Sequence, residues 1–360
     1  MSPAWLPALA CLAFAAADDF AALSARATAA REAGDAAQAA ALYRQAVALK
    51  PDWAEGWWYL GMSAYDEDAY PACREAFGKF LALEPKSVPA AALLGLCEYE
   101  TGAYRDALAH LTAARAIPAA LPPEVEQVAR FHHAVLLTAA GRFDEATRVL
   151  RPLIPKAAAN PTLNAAIGLD ALQLSLLPKD IPEALRLAVA AAGQTAAAWV
   201  SGDAAKTAAA FEDLLARYPA APGVHAFYAT YLLTEPRPSE AVRELRAELA
   251  AHPANARARA LLSLVLHKLG NLDEALTLAA QAHREAPDLP RAQYAYGLAL
   301  LDTGATAPSI PLLESAVRAD PGQLDFHTAL ARAYSKAGRY DDSQRERRTS
   351  IDLARSADAH

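Results

Sequence analysis

Along the chain, apolar residues recur three or four positions apart, in stretches of about 14 residues separated by short polar or glycine-bearing turns. Each stretch predicts an amphipathic α-helix. Two stretches and their turns add up to 34 residues, and the pattern then repeats. Pro51 and Pro85 are 34 apart, as are successive members of the series Pro219, Pro253, Pro287 and Pro321. Gly34, Gly102, Gly141, Gly202, Gly270, Gly304 and Gly338 fall at a fixed offset before the second stretch. A period of this length predicts a stack of helix pairs, each covering the apolar face of its neighbour.

Within a unit the spacing has a physical logic. The first helix occupies roughly the first 14 positions. Glycine at position 15 lets the chain turn. A small residue at position 20 (Ala39, Cys73, Ala107, Ala146, Ala241, Ala275) allows close approach of the two helices. A large one at position 24 (Tyr43, Phe77, Leu111, Leu150, Phe211, Leu245) fills the space between neighbours. Proline at position 32 ends the second helix. The units read 20–53, 54–87, 88–121, 127–160, 188–221, 222–255, 256–289, 290–323 and 324–357. The organisation is therefore an N-terminal array over 20–160, an irregular helix pair or hinge over 161–187, and a C-terminal array over 188–357. The alternative is one continuous superhelix with a degenerate unit. Pro178 and Pro182 break the pattern in the irregular region, and Glu235-Pro-Arg-Pro replaces the turn glycine of the unit 222–255, which predicts a longer or stiffer turn there. Arg347 stands where position 24 is usually apolar, as suits a final repeat with no neighbour to cover it.

Trp57-Trp58-Tyr59-Leu60-Gly61, Leu94-Gly95, Tyr296-Gly297 and Leu330-Ala331 with Tyr334 fall at the opening positions of their units. With the later small, large and proline positions, the pattern resembles the tetratricopeptide repeat, W-x2-L-G-x2-Y followed by A, F, A and P. The resemblance implies an all-α fold, a right-handed superhelical α-solenoid of antiparallel helix pairs. It also implies a concave groove lined by positions 2, 5, 9, 12 and 13 of each first helix. In the N-terminal half those are Trp58, Met62, Tyr65, Asp66, Tyr99, Glu100 and Phe131. In the C-terminal half they are Arg257, His267, Lys268, Arg291, Tyr294, Arg332 and Lys336. An aromatic, somewhat acidic end is thus expected to face a basic end. This arrangement suits an extended peptide or a helix laid along the groove, with aromatics as anchors and charges setting direction. Members of the family that bind C-terminal carboxylates use Lys and Asn at set first-helix positions. Ala260 and Leu264 stand at the corresponding places in the unit 256–289, so that mode is not expected.

Composition sharpens the exclusions. Roughly one residue in four is alanine, which suits close helix pairs and also a GC-rich bacterial genome. The formal net charge of -7 argues against nucleic-acid binding. Neither a phosphate-cradling G-x-x-x-x-G-K-[ST] loop nor a G-x-S-x-G elbow occurs. His132-His133 is the one adjacent histidine pair, and its two rings diverge on a helix, so no metal or other cofactor is expected. The carboxylates Glu98/Glu100 and Asp66/Glu67/Asp68 read as solvated faces. Cys73 and Cys97 read as two buried free thiols packed like alanine, with a disulfide as the alternative in an exported chain. The repeats leave only 161–187 unassigned, too short for a catalytic domain. The expected function is a non-enzymatic scaffold or adaptor for a protein or peptide. The alternatives are an envelope-associated assembly or carrier factor, or an accessory subunit of an enzyme complex.

The segment 1–17 is apolar from Ala4 to Ala17 apart from Pro7, the length of a signal-peptide core and too short to span a bilayer. Small residues at Ala13, Ala15 and Ala17 fit a cleavage site, although Met1-Ser2-Pro3 lacks a positive charge. With a genuine signal the chain is periplasmic or secreted; without one it is cytoplasmic, and the segment is an alanine-rich helix packed on the next.

Overall fold

The computed structural model describes residues 6–117 and 121–358. Among these the chain forms nineteen α-helices, two 3-10 segments and no β-strand. It divides into two compact units. The first holds the described residues up to Asp170 together with Ser175–Ile181. The second holds Ala171–Leu174 and the described residues from Pro182 onward.

Unit 1 stacks four helix pairs: α1 (Leu6–Glu32) with α2 (Ala36–Leu49), α3 (Ala54–Asp66) with α4 (Tyr70–Leu83), α5 (Val88–Glu100) with α6 (Tyr104–Arg115), and α7 (Pro123–Ala139) with α8 (Phe143–Leu150). It closes with α9 (Pro161–Ala171). Unit 2 stacks five: α10 (Glu183–Val200) with α11 (Ala204–Arg217), α12 (Val224–Thr234) with α13 (Pro238–Ala251), α14 (Ala256–Lys268) with α15 (Leu272–Glu285), α16 (Pro290–Asp302) with α17 (Thr306–Ala319), and α18 (Leu324–Lys336) with α19 (Tyr340–Asp358). Both units are α-solenoids of helix pairs. The first five residues of the expected export signal lie outside the described residues.

The periodic positions do what their spacing demands. The small residues at position 20 and the large ones at position 24 are all buried, each large side chain contributing about 1.5–3 kcal/mol. Gly61 shows how tight the pairs are: a Cβ there would stand 2.8 Å from the Phe77 ring. The turn glycines take left-handed backbone, Gly102 at φ +78°. Where the second repeat lacks one, Asp68 takes φ +55° instead, and its carboxylate accepts a 2.6 Å hydrogen bond from the Tyr70 hydroxyl. The turn of the repeat 222–255 is no longer than its counterparts: residues 235–237 link α12 to α13 just as 101–103 link α5 to α6.

Three local features differ from the sequence expectation. Cys73 on α4 and Cys97 on α5 form a disulfide rather than two free thiols, with Cα atoms 6.1 Å apart. Positions 20 and 10 of consecutive repeats meet where the second helix of one pair packs on the first helix of the next. The second helix of the fourth repeat stops at Leu150, and a 3-10 segment, Arg151–Ala159, replaces its last turns. Pro152 and Pro155 lack the N–H groups a continuing α-helix needs. Finally, 161–187 holds α9, a short 3-10 turn at Pro178–Asp180 and the first residues of α10, which starts at Glu183.

Candidate functional site

Three pairs of consecutive first helices touch: α5 meets α7 in unit 1, and α14 meets α16 and α16 meets α18 in unit 2. Among the described residues no second helix packs comparably on the next second helix. Within each unit these first helices therefore share a face, on which side chains at equal repeat positions lie near one another.

In unit 1 the row is aromatic. Trp58 is half-buried, its ring 5.6 Å from Phe77 and 5.3 Å from Phe80, so it serves the packing between helices. Met62 is half-buried in the same cluster. Tyr65 sits edge-on to Tyr70 at 6.4 Å. Burial, then Glu100 and Asp66, raise its hydroxyl above the ordinary tyrosine pKa. Tyr99 contacts both Tyr104 at 5.6 Å and His132 at 4.5 Å, and burial followed by Glu100 raises its hydroxyl too. Phe131 lies 5.1 Å from the His132 ring. Lys179 extends the row, bonding the Tyr104 hydroxyl at 2.5 Å. Asp66 and Glu100 are exposed at its edge. Burial lowers the His132 pKa, and its Nδ1 is 2.9 Å from the Val128 carbonyl. The neutral ring thus donates from Nδ1 and leaves Nε2 bare.

One expected surface carboxylate is in fact interior. Glu98 is 4% exposed and bonds His110 Nδ1 at 2.7 Å, because position 11 of α5 faces α6 rather than solvent. The histidine is held above its ordinary pKa, chiefly by that bond.

In unit 2 the expected basic row is largely tied up. His267 Nε2 stands 2.8 Å from Asp302 Oδ2, and Arg332 donates to Asp302 Oδ1 at 2.5 Å. One carboxylate on α16 thereby joins α14 and α18. Lys336 donates to the Leu301 carbonyl at 3.0 Å, capping the end of α16. Tyr294 packs on Phe326 at 4.7 Å, and burial raises its hydroxyl. Lys268 is exposed, while Arg257 and Arg291 are half-buried. The structure thus brings His267 and Arg332 together through Asp302, a residue the sequence reading passed over, and does not leave a continuous run of uncompensated cations.

Sequence reasoning also passed over a cavity of about 200 Å³ in unit 1, lined by Val128, Phe131 and His132 of α7, Leu153 and Lys156 of the 3-10 segment, and Leu163 of α9. The signal was present as two prolines inside a helical pattern. Among the described residues no group of histidines, cysteines and carboxylates has the geometry of a metal site. No described helix is long and apolar enough to cross a membrane.

A tetratricopeptide-repeat family model matches residues 24–72, and the model for the N-terminal tetratricopeptide-repeat region of Psidin matches residues 232–357. Among solved structures, the chain is similar to MamA from Desulfovibrio magneticus RS-1, residue 41 to the end, at 22% identity over 36% of this chain and 73% of that one (TM-score 0.31). It is similar to yeast Tom70 at 13% identity over 93% of this chain and 85% of that one (TM-score 0.38). It is similar to PilF of Pseudomonas aeruginosa at 20% identity over 46% and 76% (TM-score 0.40). No curated protein matches the chain in sequence.

Proposed function

We propose, from the premise that this chain is a tetratricopeptide-repeat protein, that it is a non-enzymatic scaffold binding a peptide or protein segment on a face that first helices share within a unit. The observation that carries the proposal is that shared face. In unit 1 it presents half-buried aromatics that also pack between helices, and in unit 2 charged side chains. Large rigid rings with an exposed edge are the usual anchors of peptide recognition. Panning a displayed library of random 12-residue peptides on the full chain tests this. Selected peptides are expected to lose binding in the first-helix variants Asp66→Lys or Lys268→Glu, both at exposed positions. They are expected to keep it in Lys79→Glu on the second helix α4. The opposite pattern, or no saturable peptide at all, refutes the reading.

We infer further that the chain works in an oxidising compartment as an envelope-associated or secreted factor. The Cys73–Cys97 disulfide supports this, since such bonds persist outside the reducing cytosol, and it agrees with an export signal over 1–17. Sequencing the N-terminus of the mature protein tests it. A start near Asp18 is expected; an intact Met1 or Ser2 refutes export by this signal.

A further inference from the structure

The cavity at the α7–α9 edge of unit 1 exists where this chain departs from its own repeat. Lys156 and Leu153 reach its wall from the 3-10 segment that replaces the end of a second helix. Its floor is apolar: Phe131, Leu153 and Leu163. At about 200 Å³ it falls below the roughly 300–1,000 Å³ of sites that hold a whole small molecule. One large side chain is the size that fits.

Two side chains of opposite charge stand near the cavity. Lys156, in the lining, is exposed, and its ammonium bonds a neutral partner, Gln127 Oε1, at 2.7 Å. Glu100, outside the lining, lies 3.8 Å from Nε2 of the lining residue His132, a nitrogen that carries no proton in the neutral buried ring whose Nδ1 donates to Val128. Neither charge is compensated by its neighbour. Tyr99 and Tyr104 continue the surface beyond Glu100 as a row of rings.

We propose that this cavity seats one large apolar side chain of an extended peptide whose flanking residues carry opposite charges, the acidic one beside Lys156 and the basic one beside Glu100. The inference rests on the scaffold reading above and names the kind of segment that reading leaves open. Charges on either side of a buried anchor fix the direction in which the peptide lies.

The test uses the full chain and five peptides of equal length with a fluorescent end. Two have the centres Glu-Glu-Phe-Lys-Lys and Lys-Lys-Phe-Glu-Glu. Two more carry Phe between four acidic or four basic residues, and the fifth replaces Phe by Ala between opposite charges. One order of the mixed pair is expected to bind about tenfold more tightly than the other. The double variant Lys156→Glu with Glu100→Lys is expected to invert that order. Val128→Trp, at an exposed edge of the cavity, is expected to weaken the preferred peptide about tenfold. A benzophenone at the central position should cross-link within residues 127–163. An order preference unchanged by the double swap, no preference at all, no binding by any of the five, or cross-links elsewhere on the chain each overturn the proposal. Cross-links to other first helices would do so while leaving the scaffold reading intact, and the displayed-library experiment tests that reading separately.

Discussion

Replacing Asp170 by asparagine should stabilise unit 1 at neutral and alkaline pH and leave it nearly unchanged in acid. Asp170 lies on α9, is 7% exposed, and accepts a 2.6 Å hydrogen bond from Thr147 on α8 through Oδ2. Its Oδ1 has no hydrogen-bond partner, and neither does the hydroxyl of Thr138 beside it on α7. Burial first, then the like charge of Asp144, push the carboxyl up to about 7, against the Thr147 bond and the nearby Thr138 hydroxyl, which favour the charged form. In the unfolded chain the group titrates near 3.8. Between those two values the folded state keeps a proton that the unfolded state has lost. Stability therefore falls as pH rises from about 4 to 7 and levels off above it. The shift is about three units, and at 1.36 kcal/mol per unit the folded state loses about 4 kcal/mol across that window.

Asparagine has nearly the same shape and no charge to desolvate. Its carbonyl keeps the Thr147 bond, and its amide can donate to the Thr138 hydroxyl. The expected difference between variant and parent is small at pH 4 and grows to a few kcal/mol by pH 8. Because repeat arrays open in parts, the readout is hydrogen exchange of the α9 amides at pH 4 to 8, corrected for intrinsic exchange rates, rather than a global melt. Parallel protection profiles for the two proteins across that range would refute the argument, since a carboxyl group ionised in both states contributes no slope.

Three further outcomes are expected. Reducing the Cys73–Cys97 bond, or replacing both residues by alanine, should cost about 3 kcal/mol for a closed loop of this length; a denaturant titration checks it, and a change below about 1 kcal/mol contradicts it. Gly223→Ala should cost more than about 3 kcal/mol, because a Cβ would stand 2.1 Å from the Leu172 carbonyl oxygen at a φ of +85°, whereas Gly202→Ala, at φ +75° with open space around it, should cost only about 1 kcal/mol; comparable losses in the two melts would show that backbone strain alone governs both. Glu248 is fully buried and accepts bonds from the Gly223 N–H and the Asn255 side-chain amide, both at 2.9 Å, so Glu248→Ala should cost about 2–4 kcal/mol and Glu248→Gln, which keeps an acceptor, distinctly less; equal denaturation midpoints for the two variants would contradict this role.

The helix pairs were legible because the determinants of a tetratricopeptide repeat are local and repeat in phase. A glycine, a small residue, a large residue and a proline at fixed offsets each impose one geometric step. What the period could not carry were the departures from it. Pro152 and Pro155 were visible, but the consequence, a 3-10 segment lining a cavity, depends on how α9 packs afterwards. Cys73 and Cys97 were placed correctly at positions 20 and 10 of adjacent repeats. Their pairing follows from the close approach that the small position 20 itself enforces, an inference the spacing supports only once neighbouring pairs are stacked. Glu98 looked solvated because charge was read without helix phase: position 11 points back at α6, where His110 meets it.

The candidate row in unit 2 shows a subtler failure. Lys268 and Lys336 were drawn from position 13, and the same position in the repeat between them is Asp302. Counting cations alone produced a basic end; the stacking that aligns equal positions also delivers the counter-charge, and His267, Asp302 and Arg332 close into a ladder across three first helices. The Arg332–Asp302 pair is nonetheless a weak commitment, because the Arg332 side chain is 47% exposed and exposed pairs contribute only about 0–1 kcal/mol. A ligand carboxylate that takes over Arg332 gives up little of the stability of the array. Asp302 would still keep its contact with His267, and that histidine would still tie α14 to α16. The ladder therefore neutralises Arg332 through a contact that is only weakly held.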